Sequence, residues 1–154
     1  MEGPTQSDQT TTAEVQRSIV DSFQFLGDWT ERYQYLIDLG RRLPAYPDAK
    51  RTDDYRLYGC QSGVWLDARY EDGKLDFEAA SDSAIVAGII ALLLKVYSGR
   101  RPHDILTTSP TFIDDIGLSK HLSPHRANGL SLMLERIRTI ASAHAAGGGS
   151  GGSV

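Results

Sequence analysis

The stretch that decides the fold reads Val64-Trp65-Leu66-Asp67-Ala68-Arg69-Tyr70-Glu71-Asp72-Gly73-Lys74-Leu75-Asp76-Phe77-Glu78-Ala79. Its first half alternates, with Val64, Leu66, Ala68 and Tyr70 on one side and Trp65, Asp67 and Arg69 on the other. A repeat of two is the period of a half-buried strand. Asp72-Gly73 then supplies the two residues that tolerate the positive φ of a tight hairpin turn, and Leu75, Phe77 and Ala79 resume the alternation. These residues predict an antiparallel hairpin.

Helical periodicity surrounds it. Val15, Ile19, Phe23 and Leu26 predict a first helix, which opens with a capping box at Thr11 and Glu14 and closes at Gly27. Asp28, with Glu31 three residues on, caps a second helix lined by Trp29, Tyr33, Leu36, Ile37 and Leu43 and ended by Pro44. A polar loop from Pro44 to Asp54 leads to a short strand at Tyr55–Tyr58. Beyond the hairpin, Ser81 caps a helix from Asp82 to Ser98 that is apolar on nearly every side. Such a helix belongs at the centre of a core. Gly99 and Pro102 end it. Ser109-Pro110 and Ser123-Pro124 read as two more helix starts, each an N-cap followed by proline at the first helical position. The last helix turns Leu130, Leu134, Ile137 and Ala141 inward. The expected fold class is α+β, a small antiparallel sheet of about three strands packed against helices.

At 154 residues the chain predicts one domain. We expect a disordered N-terminal extension over 1–12, the folded domain over 13–146 and a flexible Gly/Ser tail over 147–154. Sixteen basic against twenty acidic side chains give a net charge of −4, which argues against a nucleic-acid partner held by bulk positive charge. The longest apolar run, Ala84 to Leu94, falls short of the ~18–20 residues needed to span a bilayer, so no membrane association is expected. No secretory leader is evident, and a cytoplasmic location is the expectation.

Cys60 is the only cysteine. That excludes an intramolecular disulfide framework and an all-thiolate metal site within the chain. His121 and His125 are four apart but straddle a helix start at Pro124, and further ligands are not evident, so neither a metal nor a resident cofactor is expected. Cys60 sits in the short loop Gly59-Cys60-Gln61-Ser62-Gly63 between two strand candidates. Free cysteine is commonly a small buried hydrophobe. Loops, however, carry function more often than cores do. Trp65, beside this loop, either covers the second side of the sheet or belongs to a partner surface.

The segment Gly59-Cys60-Gln61-Ser62-x-Val64-Trp65 resembles the signature of the SufE family. The likeness continues upstream in Trp29, Glu31, Arg32, Tyr33, Tyr35, Leu36, Leu39, Gly40 and Arg42-Leu43-Pro44. Downstream it includes Ser81-Asp82-Ser83-Ala84-Ile85-Val86, Gly88, His121-Leu122-Ser123-Pro124, Arg126 and Gly129, so that it covers roughly residues 14–143. The resemblance implies an α+β fold related to the iron–sulfur scaffold fold, with the cysteine on an exposed loop tip. It also implies sulfur relay. Such a protein accepts sulfane sulfur from a SufS-type cysteine desulfurase, whose pyridoxal phosphate is the partner's cofactor, and passes it to an iron–sulfur scaffold. Carried over to this chain, Cys60 bears the persulfide, in a loop positioned by Gly59, Gln61, Ser62 and Gly63.

One thiol is enough for that role, because sulfur transfer is a thiol–disulfide exchange in which a single thiolate attacks the outer sulfur of the donor. At pH 7 an ordinary thiol of pKa ~8.5 is only about 3% ionised. The basic pair His125 and Arg126, at the positive end of the last helix, is the candidate contact for the Cys60 thiolate or for an anionic group on the partner. The alternative from another class is a single-cysteine redox sensor that ends in a mixed disulfide.

Overall fold

Thr11 opens the first helix as its sequence predicts. Its hydroxyl accepts the Glu14 N–H at 3.1 Å, and the Glu14 carboxylate accepts the Thr11 N–H at 3.0 Å. In a computed structural model of the protein, residues 10–59 and 62–151 are described, the last five by backbone alone. Helix α1 (Thr12–Gln24) ends three residues before Gly27, at a Phe25 cap. Helix α2 (Trp29–Arg41) starts on the Asp28 carboxylate, which accepts the Glu31 N–H at 3.0 Å.

Strands β1 (Val64–Glu71) and β2 (Lys74–Ser81) pair antiparallel, from Glu71 opposite Lys74 to Val64 opposite Ser81. Asp72 and Gly73 take φ of 56° and 80°, the turn their dipeptide predicts. The fold class is α+β, but the sheet has two strands among the described residues rather than three. Tyr55–Tyr58, expected as a strand, meets β1 at the single bridge Arg56–Trp65. The Leu57 N–H reaches the Val64 carbonyl and the Leu66 N–H reaches the Tyr55 carbonyl, both at 2.9 Å. Tight turns at Thr52–Arg56 precede the bridge and Gly59, with φ +95°, follows it three residues on, so the pairing does not extend. The other edge carries a matching bridge, Leu75–Arg100.

Ser81 does not cap the next helix. As the last residue of β2 it faces Val64, and its hydroxyl is committed elsewhere, so the cap falls to Ser83, whose Oγ accepts the Val86 N–H at 3.3 Å. Helix α3 (Ala84–Tyr97) is the central element expected from its composition: Val86, Ile89, Ile90, Leu92, Leu93, Val96 and Tyr97 are all buried. Pro102, read as a stop, also starts a short helix, α4 (Pro102–Leu106). The start expected at Ser109-Pro110 slips to α5 (Phe112–Asp115). The reason lies on α1: buried Gln16 accepts the Phe112 N–H at 2.9 Å and donates to the Ser109 carbonyl at 3.0 Å, which fixes that turn from outside. After a 3-10 turn at Leu118–His121, helix α6 (Pro124–Gly151) begins on Ser123 as predicted, the Ser123 hydroxyl accepting the Arg126 N–H at 3.3 Å. Its backbone continues to Gly151, within the stretch expected as a tail; residues 1–9 of the expected extension and 152–154 lie outside the described residues. Among the described residues no helix is long and apolar enough to cross a membrane.

The polar loop before the sheet is anchored more firmly than its composition implies. Tyr46 is buried, its phenol pKa pushed up to about 12 first by burial and then by the Asp67 carboxylate. Asp67 and Glu78 face each other across the strands, a like-charge pair that is unfavourable alone. The Lys50 ammonium lies 2.6 Å from Asp67 and 3.3 Å from Glu78 and offsets it.

Helices α2 and α3 touch backbone to backbone. A Cβ on Gly88 would sit 2.2 Å from the Leu36 carbonyl oxygen, and one on Gly40 would sit 2.8 Å from the Gly88 nitrogen. Gly88→Ala must therefore push the two helices apart, and we expect a loss of about 3 kcal/mol, read as a lower urea midpoint. An unchanged midpoint would contradict this packing.

Candidate functional site

The loop that carries Cys60 is held at both ends. At its downstream end the Gly63 N–H donates to the Asp82 carboxylate at 3.0 Å. The Gly63 carbonyl accepts from the Ser81 hydroxyl at 2.8 Å and from the Asp82 N–H at 3.2 Å. Gly63 is buried, and a Cβ there would meet the Trp65 ring at 2.5 Å and Asp82 Oδ2 at 2.7 Å. The clamp thus joins the start of β1 to the junction of β2 and α3. At the upstream end, Gly59 has φ +95°, a backbone region that favours glycine. Its carbonyl accepts the Asn128 side-chain N–H at 3.0 Å, and its Cα lies against Leu132. Asn128 and Leu132 are four apart, on one face of α6.

Cys60 and Gln61 themselves lie outside the described residues. What surrounds them is defined. Ser62 lines a cavity of about 250 Å³ together with Val64, Ser83 and Val86 of the sheet–α3 junction and Ser123, His125 and Arg126 of the start of α6. The basic pair predicted from sequence is therefore brought to the cysteine loop, with both side chains exposed. Helix α6 supplies the two halves of the site: its first turn faces the cavity, and its second turn holds Gly59.

The segment that delivers this first turn is itself fixed. His121 stacks on Trp29 with ring centroids 4.0 Å apart, Tyr33 donates to the His121 carbonyl, and the Arg32 guanidinium donates to the Ile116 carbonyl at 3.2 Å. This accounts for the aromatic and charged residues clustered at the start of α2, which the helical periodicity alone reads only as a packing face. Trp65 is half-buried, with the Arg51 and Arg56 guanidinium groups 5.1 and 5.7 Å from its ring. Tyr58, just upstream, is 63% exposed; its phenol is held above its ordinary pKa, first by partial desolvation and then by the Asp53 carboxylate. Among the described residues, His, Cys, Asp and Glu form no group of three or more able to hold a metal ion.

Sequence reasoning missed Asn128, Ser81 and Asp82 as loop-holding residues. Ser81 and Asp82 read as a helix start, and Asn128 was not singled out. A hydrogen bond across 69 residues of sequence leaves no local signal that could have found it.

An α+β domain with a two-stranded sheet, a central apolar helix and a clamped single-cysteine loop defines the class. A family model described as SufE, Fe-S metabolism associated domain, matches residues 17–141. An uncharacterized SufE-like protein of Rhizobium meliloti is 44% identical over 130 residues, covering 80% of this chain and 91% of that protein. Another from Rhizobium etli is 41% identical over 133 residues, covering 83% and 90%. The solution structure of a hypothetical protein from Thermus thermophilus superposes with a TM-score of 0.68, covering 83% of this chain and 93% of that one; at 23% identity this shows the fold alone. The chain belongs to the SufE family.

Asp82→Ala leaves the N–H of buried Gly63 without its partner, at an expected cost of about 1–2 kcal/mol. Chemical denaturation checks this, and an unaltered stability would mean that the clamp contributes nothing.

Proposed function

We propose that this protein is the sulfur acceptor and activator of a pyridoxal-phosphate cysteine desulfurase, that it acts in the cytoplasm, and that it carries the sulfur on Cys60 to an iron–sulfur assembly scaffold. The observation that carries the reading is the sole cysteine of a SufE-family chain placed within a loop tied down on both flanks, beside a cavity edged by His125 and Arg126.

The chemistry needs no redox partner. The Cys60 thiolate attacks the outer sulfur of the donor persulfide, the donor S–S bond breaks, and the donor thiolate leaves and takes up the proton that Cys60 released. Cys60 then holds the sulfur as a persulfide, and a thiolate of the scaffold repeats the exchange. Arg126 and His125, presented at the positive end of α6, favour the anionic forms of both thiol and persulfide. A clamped loop also reduces the ordering needed when the partner docks.

With a cysteine desulfurase and L-cysteine, the wild-type protein is expected to accelerate alanine release, and Cys60→Ser to abolish that acceleration. Equal stimulation by both would reject the reading. Arg126→Ala is expected to raise the apparent pKa of Cys60 alkylation and to slow transfer about fivefold, the scale of one partly exposed charge interaction. An unchanged thiol titration together with an unchanged transfer rate would remove Arg126 from the site.

A further inference from the structure

We propose that Asn128 is the residue that positions Cys60 for transfer, by fixing the peptide immediately before it. The inference deepens the sulfur-acceptor reading and rests on it. Two independent features of the described residues meet at Gly59: a positive φ of +95° and a side-chain hydrogen bond of 3.0 Å from Asn128 to its carbonyl. The bond reaches across 69 residues of sequence, so it belongs to the tertiary fold and not to a local turn. A Cβ on Gly59 would stand 3.0 Å from the Leu132 side chain, so the peptide lies directly on the face of α6 that presents Asn128.

Covalent geometry shows what this bond governs. Cys60 follows Gly59 directly, so with Gly59 held its Cα is confined to ~3.8 Å from a fixed point. Without the bond, Gly59 keeps its contact with Leu132, and the nearest upstream backbone hydrogen bond among the described residues is that of Leu57, which is 2% exposed and donates its N–H to the Val64 carbonyl at 2.9 Å. Cys60 is then three residues from its upstream anchor, and its range grows to about 10 Å. The downstream anchor, Gly63, is likewise three residues away and carries three hydrogen bonds. Among the described residues, the Asn128 bond is the tertiary hydrogen bond nearest in sequence to Cys60. Sulfur transfer rewards such confinement, since the attacking atom must meet one sulfur along one line.

The two reactions of the thiol should respond in opposite directions when the bond is lost. A small reagent such as iodoacetamide attacks from any side and gains from a wider range. A desulfurase gains from a fixed one. In Asn128→Asp, which keeps the shape but lacks the donor, and in Asn128→Ala, alkylation of Cys60 is expected to become about threefold faster. The maximal rate of transfer from the desulfurase should fall about fivefold, the equivalent of one ~1 kcal/mol hydrogen bond, with half-saturation at an unchanged protein concentration. Asn128→Gln, which retains the amide donor, should stay within twofold of wild type in both assays. Asn128 is exposed on α6, so all three variants are expected to fold, the Asp and Ala variants with an unfolding midpoint lowered by no more than the loss of one exposed hydrogen bond.

Alkylation and transfer that both match wild type in the Asp and Ala variants would overturn the inference, as would both falling together or a Gln variant that behaves like Ala. Alkylation needs no donor enzyme, so it tests the Asn128 contact even where wild-type protein takes up no sulfur; that last result would reject the sulfur-acceptor reading instead.

Discussion

Gly63 is gripped through both its N–H and its carbonyl by Ser81 and Asp82, the two residues where β2 gives way to α3. Three parts of the fold meet at this one buried residue: the entry to β1, the last residue of β2 and the approach to the central helix. The grip leaves no room for a side chain, because Trp65 and Asp82 already occupy the space a Cβ would need. It also sets where the cysteine loop rejoins the body of the protein. Helix α6 completes the surroundings of the loop, with Asn128 on Gly59 and Arg126 lining one cavity with Ser62.

The parts legible from sequence are those decided locally. The Asp72-Gly73 turn, the Thr11 and Asp28 caps and the Ser123-Pro124 start depend on residues within a few positions of one another, and each is found as read. The all-round apolar segment around Ile89 could only be a core helix, and it is one. Departures come where a distant partner decides. Gln16 on α1 moves the helix start from Ser109 to Phe112. The Ser81 hydroxyl, a helix cap by pattern, is drawn away by the Gly63 carbonyl. Tyr55–Tyr58 has strand-like composition but lies between the turns at Thr52–Arg56 and the positive-φ Gly59, and adds only one bridge.

The site follows the same division. The candidate for the sulfur-bearing residue could be read from its singularity and its motif, and Arg126 as a candidate contact from a basic side chain at a helix start. That Ser62 and Arg126 share one cavity is a tertiary fact. The Asn128–Gly59 bond, and the stack of His121 on Trp29 just before α6, likewise join residues far apart in the chain and leave no mark in any short window of sequence. A chain with one thiol can carry a sulfur atom but cannot assemble a cluster, which requires several ligands. The hydrogen bonds at Gly59 and Gly63 suit that proposed role, because they fix both flanks of one short loop.

The most direct measurement is the mass of the peptide containing Cys60 after turnover with a cysteine desulfurase and L-cysteine, taken under non-reducing conditions. The account predicts that this peptide alone gains the mass of one sulfur atom, and that the gain disappears on treatment with a thiol reductant. A peptide of unaltered mass after the donor enzyme has demonstrably released alanine would contradict it.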